Sequence, residues 1–248
     1  NQAGLVMFNS SGPSQNNIIS ANTIAQNSLF GILASLKNST IGGDSKADDG
    51  NNIANNLRGV TLVTGSLTNN VARNTIQGNK GASDPVGVGL AIYARSIDPD
   101  LANTIRENDI LGNDIGIDLY QARGNTIRDN VVDASLRQGI QLASNSSGNT
   151  VRNNMVTKST LEGIRLDSSS NVLTSNTVSL GLDTGIYFTG GTRLTDLGSN
   201  VVTLNQKHGI SLGWADSNRV HDNPNISGNE GDGVNIGEMG TNNIVERN

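Results

Sequence analysis

The chain of 248 residues contains no cysteine. That excludes a disulfide framework and any thiolate metal site. Proline is limited to 4 residues, histidine to 2, and aromatic side chains to 3% of the chain. A large aromatic-rich core is therefore ruled out, and an apolar content of 34% leaves room only for a slender aliphatic one. No apolar run has the length of a membrane-spanning helix, and neither a signal peptide nor a starting methionine is present. Basic residues are outnumbered, 17 against 22 acidic, giving a net charge of -5 and a pI near 4.9. A nucleic-acid partner, which requires a basic footprint, is thereby disfavoured, and no polybasic face marks a membrane surface.

Glycine is plentiful at 30 residues, and asparagine recurs in a fixed phrase. GNTIRDNVVDASLRQGIQL (Gly124 to Leu142), GNTVRNNMVTKSTLEGIRL (Gly148 to Leu166) and SNVLTSNTVSLGLDTGIYF (Ser170 to Phe188) share one pattern. It reads Asn-x-Φ-x-x-Asn-x-Φ-x-x-small-x-x-x-Gly-Φ-x-Φ, where Φ is aliphatic or aromatic. The glycine opening the last element falls at Gly4, Gly31, Gly59, Gly89, Gly116, Gly139, Gly163, Gly185, Gly209 and Gly233. Successive spacings lie between 22 residues (Gly163 to Gly185) and 30 (Gly59 to Gly89). A period in this range is the signature of a repeat architecture.

The Φ-x-Φ elements have a two-residue period and are interrupted every five or six residues by Asn, Gly or Ser, so they read as short strands. Alone they are too short to form a sheet. Stacked coil upon coil, each pairs with its counterparts above and below. The pattern predicts an all-β, right-handed, single-stranded parallel β-helix of about ten coils, one domain over residues 1–248. Asparagine tolerates left-handed corner angles and hydrogen-bonds nearby backbone. Asn103, Asn125, Asn149 and Asn171 should form one stacked column, and Asn108, Asn130, Asn154 and Asn176 a second. About six inward apolar side chains per coil are expected, for example Ile127, Val132, Ile140 and Leu142 with smaller partners. The chain opens and closes partway through a coil without an amphipathic cap, which suggests a fragment of a longer chain with flanking domains or an oligomer.

Function must then lie on outward positions. Along the Gly-Φ-x-Φ strand the first outward column is Ala91, Asp118, Gln141, Arg165, Tyr187, Ser211 and Asn235. The second is Tyr93, Tyr120, Ala143, Asp167, Thr189, Gly213 and Gly237. With neighbouring coils about 4.8 Å apart, Asp118, Tyr120, Gln141, Arg165, Asp167 and Tyr187 would form one polar and aromatic patch, with Trp214, the only tryptophan, at the adjoining corner. Carboxylate, amide and guanidinium groups suit sugar hydroxyls, and Tyr or Trp rings suit the apolar sugar face. The same residues would equally solvate an exposed face. A third column, Arg106, Arg128 and Arg152, stands beside Glu107, Asp129 and Asn153, where the acids would neutralise it.

The repeats NTIRENDILGNDIGIDL and NTIRDNVVDASLRQGIQL resemble those of the carbohydrate-binding and sugar-hydrolase β-helix superfamily. That group includes mannuronan epimerases, related polysaccharide lyases and periplasmic NosD-type proteins. The likeness covers nearly the whole chain but resides in the repeat, so it implies fold more specifically than activity. Mannuronan epimerases carry a Tyr-Gly-Phe-Asp-Pro-His signature. The nearest stretch here, IYARSIDPDLANTIREN, keeps Asp98-Pro99, places Asp100 where histidine would stand, has Tyr93 two residues too far upstream, and lacks Gly-Phe. The acid/base pair of that family is therefore not carried over.

Among other constellations, His208 and His221 fall on different edges. Asp118 with Asp167, offset by one coil, is the candidate carboxylate pair, and Arg165 the candidate for neutralising a uronate, with Tyr187 beside it. Tyr93, Tyr120, Gln141 and Trp214 are candidate glycan contacts. The insertion IGGDSKADDGNN gathers Asp44, Asp48 and Asp49, hard oxygen ligands that suit Ca²⁺ on a flexible loop, although Asp-Gly pairs are also ordinary turn formers. No other cofactor is implied. A second insertion, KGASDPVG (Lys80 to Gly87), would wall one end of a groove. The combined reading is an extracellular, cell-surface or periplasmic β-helix that binds or modifies an extended polysaccharide along the Gly-Φ-x-Φ face. The alternative is a non-catalytic structural or adhesive solenoid.

Overall fold

A computed structural model describes residues 1–43, 49–81, 86–95, 100–237 and 240–248. Its elements are all strands, and every ladder between them is parallel. Two sheets have ten strands each and a third has nine, with a two-stranded ribbon near the first coils. Each coil visits the three sheets in turn. One runs Thr126–Arg128, Val131–Asp133, Ile140–Ala143, and the next Thr150–Arg152, Met155–Thr157, Ile164–Leu166. The sheet built by the Gly-Φ-x-Φ strands is the first sheet below. The strand Thr126–Arg128 belongs to the second and Val131–Asp133 to the third. The protein is a parallel β-solenoid of about ten turns, as the repeat predicts.

Strands of three residues need corners that turn the chain without spending length. The corners place a residue at positive φ just before the ladder position, and here the sequence expectation needs correcting. The ladder asparagine is not the left-handed residue; the residue before it is. Glu107, Asp129 and Asn153, with φ of 53°, 57° and 55°, precede Asn108, Asn130 and Asn154, while Gly124 and Gly148, with φ of 68° and 67°, precede Asn125 and Asn149. The asparagine's amide then turns inward and closes the corner.

The hydrogen-bonding scheme explains why asparagine is needed. Asn108 donates from its backbone N–H and from Nδ2 to Oδ1 of Asn130 in the next coil, at 3.0 and 2.9 Å. Its Nδ2 also donates to the carbonyl of Val71 in the preceding coil, at 2.9 Å. Asn130 repeats this toward Asn154 and Ile105. The column from Asn103 through Asn125 and Asn149 to Asn171 is built in the same way. A third column, Asn27, Asn56, Asn79 and Asn113, occupies the corner where the repeat shows only a small residue. Ser135 and Ser159 continue it before asparagine returns at Asn205.

The buried interior is leaner than six apolar side chains per coil. Ile127, Val132, Ile140 and Leu142 are fully buried, and they share the interior with Asn125, Asn130 and Ser135, each 1% exposed, and with the fully buried Ser146. Satisfied amides thus occupy space that a wider core would fill with hydrocarbon.

The period-setting glycine is required by close approach. A Cβ on Gly139 would lie 2.4 Å from Val156 Cγ1 and 2.6 Å from the carbonyl oxygen of Gly163 in the next coil. Gly139→Ala is expected to destabilise the protein by about 1–3 kcal/mol through overpacking. Asn130→Ala strands the donors of Asn108 and should cost about 2–4 kcal/mol, while Asn130→Ser, which keeps one acceptor, should cost less. Urea unfolding of the three variants checks both orderings, and an Asn130→Ala variant as stable as wild type would refute the role given to the ladder.

Candidate functional site

The register of the first sheet delivers the outward columns that the repeat predicts. Ala91, Asp118, Gln141, Arg165, Tyr187, Ser211 and Asn235 are successive cross-strand partners, as are Tyr93, Tyr120 and Ala143. One expectation is corrected. The strands Ile115–Tyr120 and Ile164–Leu166 do not pair with each other, because Ile140–Ala143 lies between them. Asp118 and Asp167 are therefore two coils apart rather than one.

Asp118 is the most perturbed carboxyl on this face. Tyr93 Oη donates to its Oδ2 at 3.0 Å, while its Oδ1 is buried without a hydrogen-bond partner. Burial pushes the Asp118 carboxyl up to about 6, the charge of Asp167 adding to the rise, while the Tyr93 hydrogen bond and Arg58 oppose it. Burial, and then the charge of Asp118, likewise raise the Tyr93 hydroxyl, against the pull of Arg58. The Tyr93 ring meets Tyr120 edge to face, with centroids 6.4 Å apart, and the Arg58 guanidinium carbon lies 5.1 Å from its centroid.

Arg58, Thr61 and Glu162 escape the sequence reading. Arg58 and Glu162 belong to a further outward column, the residues immediately before the period glycines, which includes Gln138. Thr61 pairs with Ala91 and so extends the Asp118 column by one coil. Arg58 Nε and Thr61 Oγ1 are, like Asp118 Oδ1, buried without a hydrogen-bond partner, so three such atoms fall within a few coils of one face. Glu162 accepts from Gln138 at 2.9 Å and lies 3.4 Å from Arg165 Nη1. Arg165 also reaches Asp167 at 3.3 Å and faces the Tyr187 ring at 6.0 Å. Two carboxylates already attend the arginine assigned to neutralise a uronate, so an acidic ligand would have to displace them.

Asp114 pins the two described ends of the insertion near Lys80. Asp114 Oδ2 accepts the N–H groups of Gly81 and Gly87 at 2.7 and 2.8 Å. Val86 and Tyr93 pack over Val88, Ala91 and Ile115, burying three outward positions. Residues 82–85 lie outside the described residues, as do Asp98, Pro99, Asp44 and Asp48. Asp49 contributes its backbone carbonyl to the Ala21 N–H at 3.0 Å. Among the described residues no three His, Cys, Asp or Glu side chains form a group able to hold a metal ion.

Elsewhere, Arg106 and Arg128 are neutralised as expected, by Glu107 at 2.7 Å and Asp129 at 2.5 Å. His221 lies in the strand Arg219–His221 of the second sheet, whereas His208 lies in the turn before the strand Ile210–Leu212. Both ring nitrogens of His221 are taken, by Asp196 and Asp222 at 2.9 and 2.7 Å, and His208 Nδ1 accepts the Asp232 N–H. Trp214 follows the strand Ile210–Leu212 and is 66% exposed.

The sign of the Asp118 shift fixes a test. A carboxyl raised from 3.8 to about 6 binds its proton more tightly in the folded state. Stability should therefore fall as pH rises from about 4 through about 6 and level off above. Asp118→Asn should remove this slope, gaining up to about 3 kcal/mol over wild type at neutral pH and nothing at about pH 4. Denaturant midpoints at the two pH values measure it, and parallel pH profiles of wild type and variant would contradict the assignment.

A family model described as periplasmic copper-binding protein (NosD) matches residues 88–197. Among the described residues the two histidines, which could offer copper imidazole ligands, do not stand together, each bonding to its own aspartates. No curated protein sequence matches the chain. Among solved structures, the enzymatically active domain of bacteriophage CBA120 tailspike protein 2 aligns with TM-score 0.59 and 12% identity over 91% of this chain. This chain spans only 38% of that tailspike's length. A point mutant of the periplasmic alginate epimerase AlgG aligns with TM-score 0.59 and 15% identity, covering 91% of this chain and 70% of the other. The A-module of a mannuronan C-5 epimerase of Azotobacter vinelandii gives TM-score 0.55 and 16% identity, with 90% and 71% covered. Similarities at this identity speak for the shared β-helix fold.

Proposed function

We propose that the chain engages an extended polysaccharide along the outer face of the first sheet, outside the cytoplasm. The observation that carries this reading is the gathering on one face of Tyr93, Tyr120 and Tyr187, all the tyrosines of the chain, around Asp118, Gln141, Arg165 and Asp167. Rings supply flat apolar surfaces for sugar faces, and the interspersed amide and charged groups supply hydroxyl partners. A polymer running along the solenoid meets a new outward side chain at every coil, about 4.8 Å apart. The β-helix likeness to alginate epimerases and a tailspike enzyme domain, and the periplasmic description of two of the matches, support the ligand class and the location.

Where the chain modifies its ligand, the chemistry starts at Asp118. Its carboxyl titrates at about 6, within reach of neutral pH for accepting or giving a proton. Tyr93 donates its hydroxyl to Oδ2 and so favours the ionised carboxylate. Oδ1 is buried without a hydrogen-bond partner, so Oδ2, bonded to Tyr93, is the oxygen with a defined partner. Arg165, held by Glu162 and Asp167, orients those two acceptors rather than standing as an open cation.

The test is a titration of the protein with alginate, pectin and other uronate polymers, reading both binding and unsaturated or epimerised products. Wild type should bind, and Arg165→Ala and Tyr187→Ala should each weaken binding by roughly tenfold or more. Asp118→Asn should retain binding and lose any product formation. If the folded wild-type protein binds none of these polymers, the structural or adhesive solenoid becomes the better reading.

A further inference from the structure

Beside the proposed polysaccharide face, the chain turns out of the first sheet through a corner that is not uniformly filled. Across four coils this corner opens into a cleft of about 500 Å³. Its walls come from Arg123, Asn145, Ser147, Asp167 and Ser169, without a single aliphatic or aromatic side chain. An apolar ligand would gain nothing there, because pockets for such ligands are lined mainly by hydrocarbon. A ligand that brings its own hydroxyls matches a wall of hydroxyl, amide, carboxylate and guanidinium groups.

Three further features make this corner unlike its neighbours. Gly190 and Gly191 form one side of the opening, so no side chain fills it. Ser144 and Asn145 are consecutive non-glycine residues at positive φ, 38° and 63°, a conformation that costs energy and holds the Asn145 amide out at the rim. Trp214 stands one coil on: its carbonyl accepts the Gly191 N–H at 3.2 Å, and its Cβ is 3.4 Å from the place a Gly190 Cβ would take. Trp214 thus borders the two glycines that line the cleft, and its exposed indole is a ring suited to the apolar face of a sugar. Asp167 lies in both places, pairing with Arg165 on the sheet face and lining the cleft.

We propose that this corner cleft is a second carbohydrate subsite, taking a single sugar residue that branches from a polysaccharide lying on the first sheet. The proposal rests on the polysaccharide reading for the main chain of the ligand, while the cleft itself recognises the branch sugar. Asp167 and Asn145 receive and donate hydroxyl hydrogen bonds, Ser147 and Ser169 add hydroxyls, and Trp214 bounds the ring. A branched glycan would then be preferred over its unbranched counterpart, because one molecule occupies face and corner together.

Backbone amide NMR of isotope-labelled protein tests the subsite without knowledge of the polymer. The probes are free glucose, galactose, rhamnose and N-acetylglucosamine, each at up to about 50 mM, since a lone sugar held by a few hydrogen bonds binds in the millimolar range. At least one should shift the amides of Asn145, Ser147, Ser169 and Gly191 while leaving Gln141 and Arg165 in place. Trp214→Ala, which removes an exposed ring, and Gly190→Leu, which fills the opening, should each weaken that binding by roughly tenfold. Should Gly190→Leu fail to fold, Trp214→Ala decides alone. Absence of shifts at the cleft with all of these sugars, shifts confined to Gln141 and Arg165, or unchanged affinity in Trp214→Ala would overturn the subsite. The sheet-face reading stands or falls separately, on the uronate polymer titration.

Discussion

The amide-to-amide bond between consecutive asparagines sets the geometry of everything else. An asparagine Oδ1 accepts two donors from the coil before it, and its Nδ2 reaches back to a carbonyl of that same coil. The bonds form only when the coils stand one strand spacing apart and in register. A slip by one residue would turn every aliphatic outward and break the column at once. Corner and core thus enforce the same alignment, which is why strands of three residues can support a long solenoid.

That alignment controls the candidate site. Because the first sheet stays in register across its strands, residues twenty or more positions apart in the chain become neighbours on one surface, and each outward column is a row of side chains at a constant spacing. Acidic and basic groups in such rows must be balanced locally. Arg106 and Arg128 are balanced by the acids of the adjoining corner, and Arg165 by Glu162 and Asp167. Asp118 is the exception. Its neighbours cover it with Tyr93 and leave one oxygen without a partner, so the proton is retained to higher pH. Asp118, with Arg58 and Thr61, gives this face buried polar atoms without hydrogen-bond partners among charges that are otherwise paired.

The likenesses to tailspike and epimerase structures belong to the scaffold. A repeat of asparagine corners and aliphatic strands can be kept while every outward residue changes, since outward residues add little to stacking. Insertions have the same licence: the segment pinned by Asp114 buries outward positions without disturbing the register beneath it.

Periodicity alone was enough to determine the solenoid, its three strands per coil, two of the three asparagine columns and the membership of the outward rows, because stacking at one residue per coil converts sequence spacing directly into position. The left-handed residue at each corner, the third asparagine column where the repeat shows only a small residue, and the two-coil separation of Asp118 from Asp167 required the coordinates. So did Arg58 and Glu162, which stand before the period glycine, where the change of direction at that glycine obscures which way a side chain points. The perturbed Asp118 and the corner cleft were decided by tertiary structure for one reason. Both depend on what covers a position from neighbouring coils and inserted segments, a many-body property of packing that no spacing rule along a single chain contains.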